Sequence, residues 1–292
     1  MIPKFLPLIT GLVVVTCAFA QAAPPGGDAW LESQPRIFEI AGDHAGVDRL
    51  LSELQRRYPD FQQRLRAVAL LRLGTPYVLG CLGEERPPDT KPVFRLDVSD
   101  CTVHVLTCSA LAHAHTWNEA REWMKKLNYY PASAASGNIG GRAPAHGPIT
   151  YENRVHFTED RIVTSTWYRT AQAPFEAARP ASVTLTLNRS QEGKPALAIP
   201  WQKPMTIRYL PVSEVTPTLL ERLPSPVAGV AFVRKKLFPQ GLVVAHEGLV
   251  IDQKWLVHAN SIKKETVKVD FLAYLKKNAD WFDGVIFFEN LP

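Results

Sequence analysis

The sequence predicts an α+β fold. Three observations carry that prediction. Apolar residues recur at helical spacing through the first half, they alternate at strand spacing in the second, and a Pro/Gly-rich stretch at 131–148 separates the two regimes. The chain has 292 residues, 46% hydrophobic and 21% charged. That is enough apolar material for a sizeable core, and it excludes a disordered, collagen-like or coiled-coil chain. Its 24 prolines predict many rigid turns. The net charge of +5 is not gathered into a Lys/Arg block or a recognition helix. Nucleic-acid binding therefore has no support beyond the basic balance, while a polyanionic surface such as a cell wall is compatible with it.

Lys4 precedes an apolar run from Phe5 to Ala20 that closes on Ala18-Phe19-Ala20. A charged start, a short apolar middle and small residues before the break predict a cleaved secretory signal at 1–20. Pro7 and the short run argue against a membrane span, which takes about 20 apolar residues. The mature chain is expected to be a periplasmic or secreted monomer with no stable membrane span. It keeps Cys81, Cys101 and Cys108. An odd count leaves at least one thiol free or paired between chains; Cys81 with Cys108, or burial of all three, both fit the spacing.

The elements follow in order. Residues 21–40 are Pro/Gly-rich and read as a flexible lead-in, and 41–292 reads as one domain. Val47, Leu50, Leu51 and Leu54 predict a helix over 45–57, and Phe61, Leu65, Val68, Ala69 and Leu71 a second over 60–73, stopped by Gly74-Thr75-Pro76. Polar, Pro-rich 84–92 is an exposed loop. Ser99-Asp100 caps a helix from Cys101 to about Ala114, and Thr116 with Glu119 forms a capping box for a helix ending near Asn128. The stretch 131–148 reads as a long flexible loop. Strands are predicted over 183–187, 205–210, 227–233, 241–251, 255–259 and 284–288, with a helix over 270–277.

The chemistry begins at Cys101, where a capped helix start puts the sulfur at the positive end of the dipole and favours a thiolate. His246 and His258 supply the base. A hairpin turning around Asp252 makes them directly opposed, so one imidazole can orient the other in the manner of a triad. The bland alternative is two polar residues on an exposed sheet face.

Gly74-Thr75-Pro76-Tyr77, Asp100-Cys101-Thr102, His246-Glu247-Gly248 and His258-Ala259 stand in the order of the NlpC-type papain-like cell-wall peptidases, which this chain resembles. Asn153-Arg154-Val155-His156-Phe157 resembles an element of a secreted branch described as N-acetylmuramoyl-L-alanine amidase-like. The resemblance runs from about Ala67 to the C-terminus. It implies a papain-like fold with the nucleophile at a helix start packed on an antiparallel sheet. It further implies Cys101 as nucleophile, His246 as base, His258 as orienting residue and Tyr77 as an oxyanion donor, with Arg154, His156 and Asp100 beside the substrate. The implied partner is peptidoglycan or its muropeptides, and neither metal nor other cofactor is needed. Two residues depart from the pattern: Glu247 stands where a small or apolar residue is usual, and His104 where an aromatic is expected.

Three rivals remain at this stage. His113-Ala114-His115 suggests a zinc clip, but residues two apart on a helix do not face each other, and both histidines are expected near a helix end, partly exposed, where they suit the dipole. A non-catalytic wall-binding protein on the same fold, with aromatics lining a glycan groove, would keep its affinity without Cys101. A thiol acyltransferase acting on a lipid or protein would carry the same dyad.

Overall fold

A computed structural model describes residues 27–131, 146–224 and 226–292. The predicted signal at 1–20 and most of the predicted long loop lie outside them. In chain order the helices α1 (Gly27–Ser33), α2 (His44–Arg57), α3 (Phe61–Leu71), α4 (Cys101–His113) and α5 (Trp117–Asn128) come first. Then follow α6 (Thr158–Thr164), β1 (Tyr168–Thr170), α7 (Gln172–Glu176), β2 (Ala181–Leu187), β3 (Lys203–Pro211) and α8 (Pro217–Leu220). The chain closes with β4 (Val227–Val233), β5 (Val244–Ile251), β6 (Trp255–Asn260), β7 (Glu265–Asp270), α9 (Phe271–Lys277) and β8 (Gly284–Asn290). The fold is α+β.

Side-chain caps start the helices where the sequence puts them. Asp43, Asp60, Asp100, Thr116 and Asp270 each accept a backbone N–H from the first turn, a contact typically worth ~1 kcal/mol. The capping box at α5 is half of the predicted one. Thr116 Oγ1 accepts from Glu119 N at 3.1 Å, but Glu119 Oε2 accepts from His115 N, one residue before the cap. Gly74, at φ +80°, ends the α3 segment in a conformation a side chain resists.

The segment 27–40 is more ordered than its composition predicts. It forms α1 and a short 3-10 turn, with Leu31 and Ile37 buried and Trp30 against Tyr58 at 6.2 Å. A few apolar anchors hold a stretch whose average reads as loop.

The sheet runs β2-β3-β8-β4-β5-β6-β7, with β1 also on β8, and every pairing is antiparallel. Strand β4 is buried along its whole length and β8 almost so, which makes them the centre of the core. The hairpin β2–β3 alternates as predicted, and Thr184 and Thr206 share a hydroxyl hydrogen bond at 2.9 Å across it. Helix α4 packs on β5 and β6, and every residue from Val103 to Ala112 is buried. A helix apolar all round belongs inside a protein, and this one carries Cys101 at its first position.

Candidate active site

The candidate nucleophile sits where three segments meet. Asp100 Oδ1 accepts from Val103 N at 2.9 Å and Oδ2 from Gly80 N at 2.8 Å, so one carboxylate caps α4 and ties down the Tyr77–Gly80 loop. That loop runs beside Ser99: Val78 N donates to Ser99 O and Ser99 N to Pro76 O. Tyr77 N donates to Lys264 O at 2.9 Å, which fastens the same turn to the β6–β7 connection. This docking brings Gly74-Thr75-Pro76-Tyr77 and Asp100-Cys101 together in space. Tyr77 is half-buried, and burial first, then Cys101 and Asp100, pushes its phenol up to about 12. It remains a protonated donor.

The two histidines meet, but by a different register. The observed pairs are Leu249–Val257, Val250–Leu256 and Ile251–Trp255, so the turn centres on Gln253 rather than Asp252. Asp252 and Gln253 both take positive φ, 53° and 55°, the pattern of a type I′ turn. Continuing the ladder sets His258 opposite Gly248 and leaves His246 two residues along. A shift by two keeps both imidazoles on one face. Gly248 makes room for this: a Cβ there would lie 2.9 Å from His258 Cβ and 3.0 Å from Val257 O. A β-bulge where Phe232 pairs with His246 and Val233 with Val244 also re-aims the strand end. The rings lie at 76° with His246 Nε2 2.7 Å from His258 Nδ1.

Their surroundings are aromatic. Phe232 stacks on His246 at 5.4 Å and Tyr274 meets His258 at 4.8 Å. Burial pushes His246 down to about 4, and burial plus His246 pushes His258 down to about 3. Burial, then Glu247 and Asp100, pushes the Cys101 thiol up to about 12. Desolvation thus opposes the helix dipole at Cys101 and favours the neutral thiol over the predicted thiolate, as it favours the neutral imidazole of His246. Cys101 and His246 line one cleft of about 210 Å³ with His156, Thr158 and Glu159. Among the described residues no hydrogen bond joins the sulfur to His246, a looseness common in unliganded sites. A roomier hollow of about 480 Å³ between Glu176–Arg179 and Ser213–Arg222 has neither Cys nor His in its lining.

The opposite wall of the cleft is α6, which the sequence reading missed. Arg161 and Glu247, each 1% exposed, form an ion pair, and Thr158 Oγ1 donates to Glu247 Oε1 at 2.9 Å. The unusual Glu247 thus joins the strand of His246 to α6. Its position beside His246 was the available signal; its partner, 86 residues away, was not. Asp160, fully buried, takes Tyr130 Oη and Lys203 Nζ. Tyr274 was also missed, because nothing local marks an aromatic on α9 as a neighbour of the histidines.

The other predicted residues divide. His156 lines the cleft, its Nε2 2.6 Å from Tyr151 O. Arg154 turns away from it, donating to Leu82 O at 3.3 Å and lying 3.7 Å from Asp89. Asp100 has both oxygens committed to backbone N–H groups. His104 is fully buried with Cys108 Sγ at 3.8 Å. His113 is the last residue of α4 and half-buried, as expected; it stacks on Trp123 at 3.8 Å, and burial pushes it down to about 4, away from the charged form that would suit the dipole. His115 is exposed. Cys81, Cys101 and Cys108 are all free thiols. Among the described residues no helix is long and apolar enough to cross a membrane.

Solved structures share this fold. A protein from Legionella pneumophila strain Philadelphia 1 aligns at TM-score 0.65 and 19% identity, over 88% of this chain and 96% of its own. An N-acetylmuramoyl-L-alanine amidase from Bacteroides uniformis aligns at TM-score 0.58 and 22% identity, over 80% and 99%. A Bacteroides fragilis protein provisionally named a xylanase aligns at TM-score 0.55 and 19% identity, over 76% and 98%. At such identities the likeness speaks for the fold, and the mixed names illustrate that fold and function are separable. No curated protein matches the chain. Residues 67–285 match the AmiA-like family, which spans the Tyr77 turn, the start of α4 and both histidine strands; the chain belongs to this N-acetylmuramoyl-L-alanine amidase-like family.

Proposed function

We propose that the chain is an exported cysteine hydrolase that cuts an amide bond in peptidoglycan stem peptides, using Cys101, His246 and His258 in the manner of the NlpC-type papain-like peptidases. The bond is the lactyl-sugar to L-Ala link or the γ-D-Glu to diamino-acid link. One observation carries the reading: in a member of an amidase-like family, Cys101 and His246 line one cleft, and His246 Nε2 lies 2.7 Å from His258 Nδ1.

The chemistry follows from that contact. With Nε2–H donating to His258, His246 keeps its Nδ1 lone pair free to act as base, the tautomer an orienting partner selects. The thiol proton passes to His246 as sulfur attacks the carbonyl carbon. The resulting oxyanion meets the Tyr77 hydroxyl and the Cys101 N–H, an orphan donor at the first position of α4. The C–N bond breaks, His246 protonates the leaving amine, and water then hydrolyses the thioester. The neutral resting pair suits this order, since charge develops only as the bond forms.

The test is a digest of sacculi and soluble muropeptides with the mature protein and with Cys101→Ala, products read by mass spectrometry. A new L-Ala amine with unsubstituted muramic sugar means amidase; a new diamino-acid amine means endopeptidase. Either product, lost in Cys101→Ala, supports the thiol mechanism. Turnover that survives in the variant, or no turnover of any wall substrate, overturns the reading.

A further inference from the structure

Glu159 and Glu247 line the cleft, Asp100 and Asp160 adjoin its lining residues Cys101 and Glu159 in the chain, and three of these four acids are satisfied. Asp100 holds two backbone N–H groups, Asp160 holds Tyr130 and Lys203, and Glu247 holds Arg161 and Thr158. Glu159 is different. It is 2% exposed, and its Oε1 has no hydrogen-bond partner among the described residues. A buried carboxyl oxygen without a partner is costly, so such a group asks for a ligand.

Its placement fits one. Glu159 lines the Cys101 cleft and also a second cavity of about 140 Å³ behind it, walled by Ile162, Phe175, Arg208 and Ile286. The nearby cations are already engaged: Arg161 with Glu247, Lys203 with Asp160, and the exposed Arg208 over the Phe175 ring at 5.5 Å. With those cations engaged elsewhere, a positive group is the complement that the unpartnered oxygen of Glu159 lacks. Resting on the hydrolase reading above, we propose that Glu159 is a specificity-determining residue that turns its free oxygen into the cleft and binds a primary ammonium of the substrate, such as the free amine of a stem-peptide diamino acid.

Burial first, then the Asp160 and Glu247 charges, raises the Glu159 carboxyl to about 7, opposed by its own backbone N–H and by Arg161. It is therefore neutral in acid and ionised in mild base. An ammonium partner is best held by the ionised form, so affinity rises with pH through that range. The other titratable groups on this cleft are Cys101 from α4, His246 and the Arg161-paired Glu247 from β5, and His156 ahead of α6.

The experiment compares two muropeptides that differ only in that amine, free or N-acetylated. Wild type is expected to prefer the free amine by ~10-fold or more in KM, the preference growing from pH 6 to 8. In Glu159→Gln the ratio falls toward 1 and loses its pH dependence, the loss lying in KM for the free amine. Glu159→Asp, which keeps the carboxyl, retains a preference and guards against a misfolded Gln variant. Calorimetric binding of both muropeptides to Cys101→Ala, with and without Glu159→Gln, separates this proposal from the hydrolase reading. A Glu159-dependent preference in binding without any turnover sinks the hydrolase and keeps the ammonium site. Equal treatment of the two muropeptides by wild type, a preference untouched by Glu159→Gln, or binding of neither overturns it.

Discussion

The two walls of the cleft are built on opposite electrostatic plans. The β5–β6 wall excludes charge: Phe232, Tyr274 and Phe282 surround two imidazoles that burial keeps neutral. The α6 wall buries charge and pairs it, through Arg161 with Glu247 and Lys203 with Asp160. Glu247 belongs to both, since it follows His246 in the chain and faces Arg161 across the cleft. On the proposed mechanism, one wall prepares a proton transfer, while the other holds fixed charges beside it. Their difference says which substitutions should stop chemistry and which should loosen the scaffold.

The largest effect is expected at the nucleophile. Cys101→Ala should lower turnover by at least ~10⁴-fold with an unchanged melting temperature, measured on muropeptides and by calorimetry. Glu247→Ala should act in the reverse proportion. It strands a buried Arg161 and should cost about 3–5 kcal/mol of stability by denaturant titration, whereas replacing both partners with apolar residues of similar volume should recover most of it. Failure of that double replacement to recover stability would mean the pair does more than neutralise itself.

Tyr77→Phe removes one oxyanion donor and should lower kcat by ~10²–10³-fold with little change in KM. The smallest and sharpest test is pH. His246 at about 4 is depressed from its ordinary 6.5, so the base is competent above about pH 4, and kcat/KM should rise there rather than near 6.5. The stability sign runs the same way. A depressed imidazole contributes stability that is fully present above 6.5 and is lost as pH falls toward 4, so the melting temperature should drop over that window, and less so in His246→Gln. A rise in kcat/KM near 6.5 would place the histidines in a wetter wall than the one described.

Much of the scaffold was legible because it is written locally. Asp60, Asp100 and Thr116 announce helix starts within three residues of themselves, and Val183, Leu185 and Leu187 announce a half-buried strand by alternation. Helix α6 was not legible: Thr158, Glu159, Asp160 and Arg161 carry no apolar periodicity, yet all four are buried. Strand β7, with Glu265, Lys268 and Asp270 among its six residues, hid in the same way at the sheet edge. The histidine pair was recovered despite the wrong register, because an error of two residues preserves the face while an error of one would have reversed it.

By itself, then, the sequence determined the main helices and strands in their order, the helix start under Cys101 and the shared face of His246 and His258. Those follow from caps, periodicity and parity, which act over a few residues. Only the tertiary structure decided that burial favours the neutral thiol and imidazoles, that Glu247 finds Arg161, and that Oε1 of Glu159 is left without a hydrogen-bond partner among the described residues. Desolvation and ion pairing depend on what surrounds a group in space, and here those surroundings come from segments as far apart as Thr158 and Glu247, 89 residues along the chain.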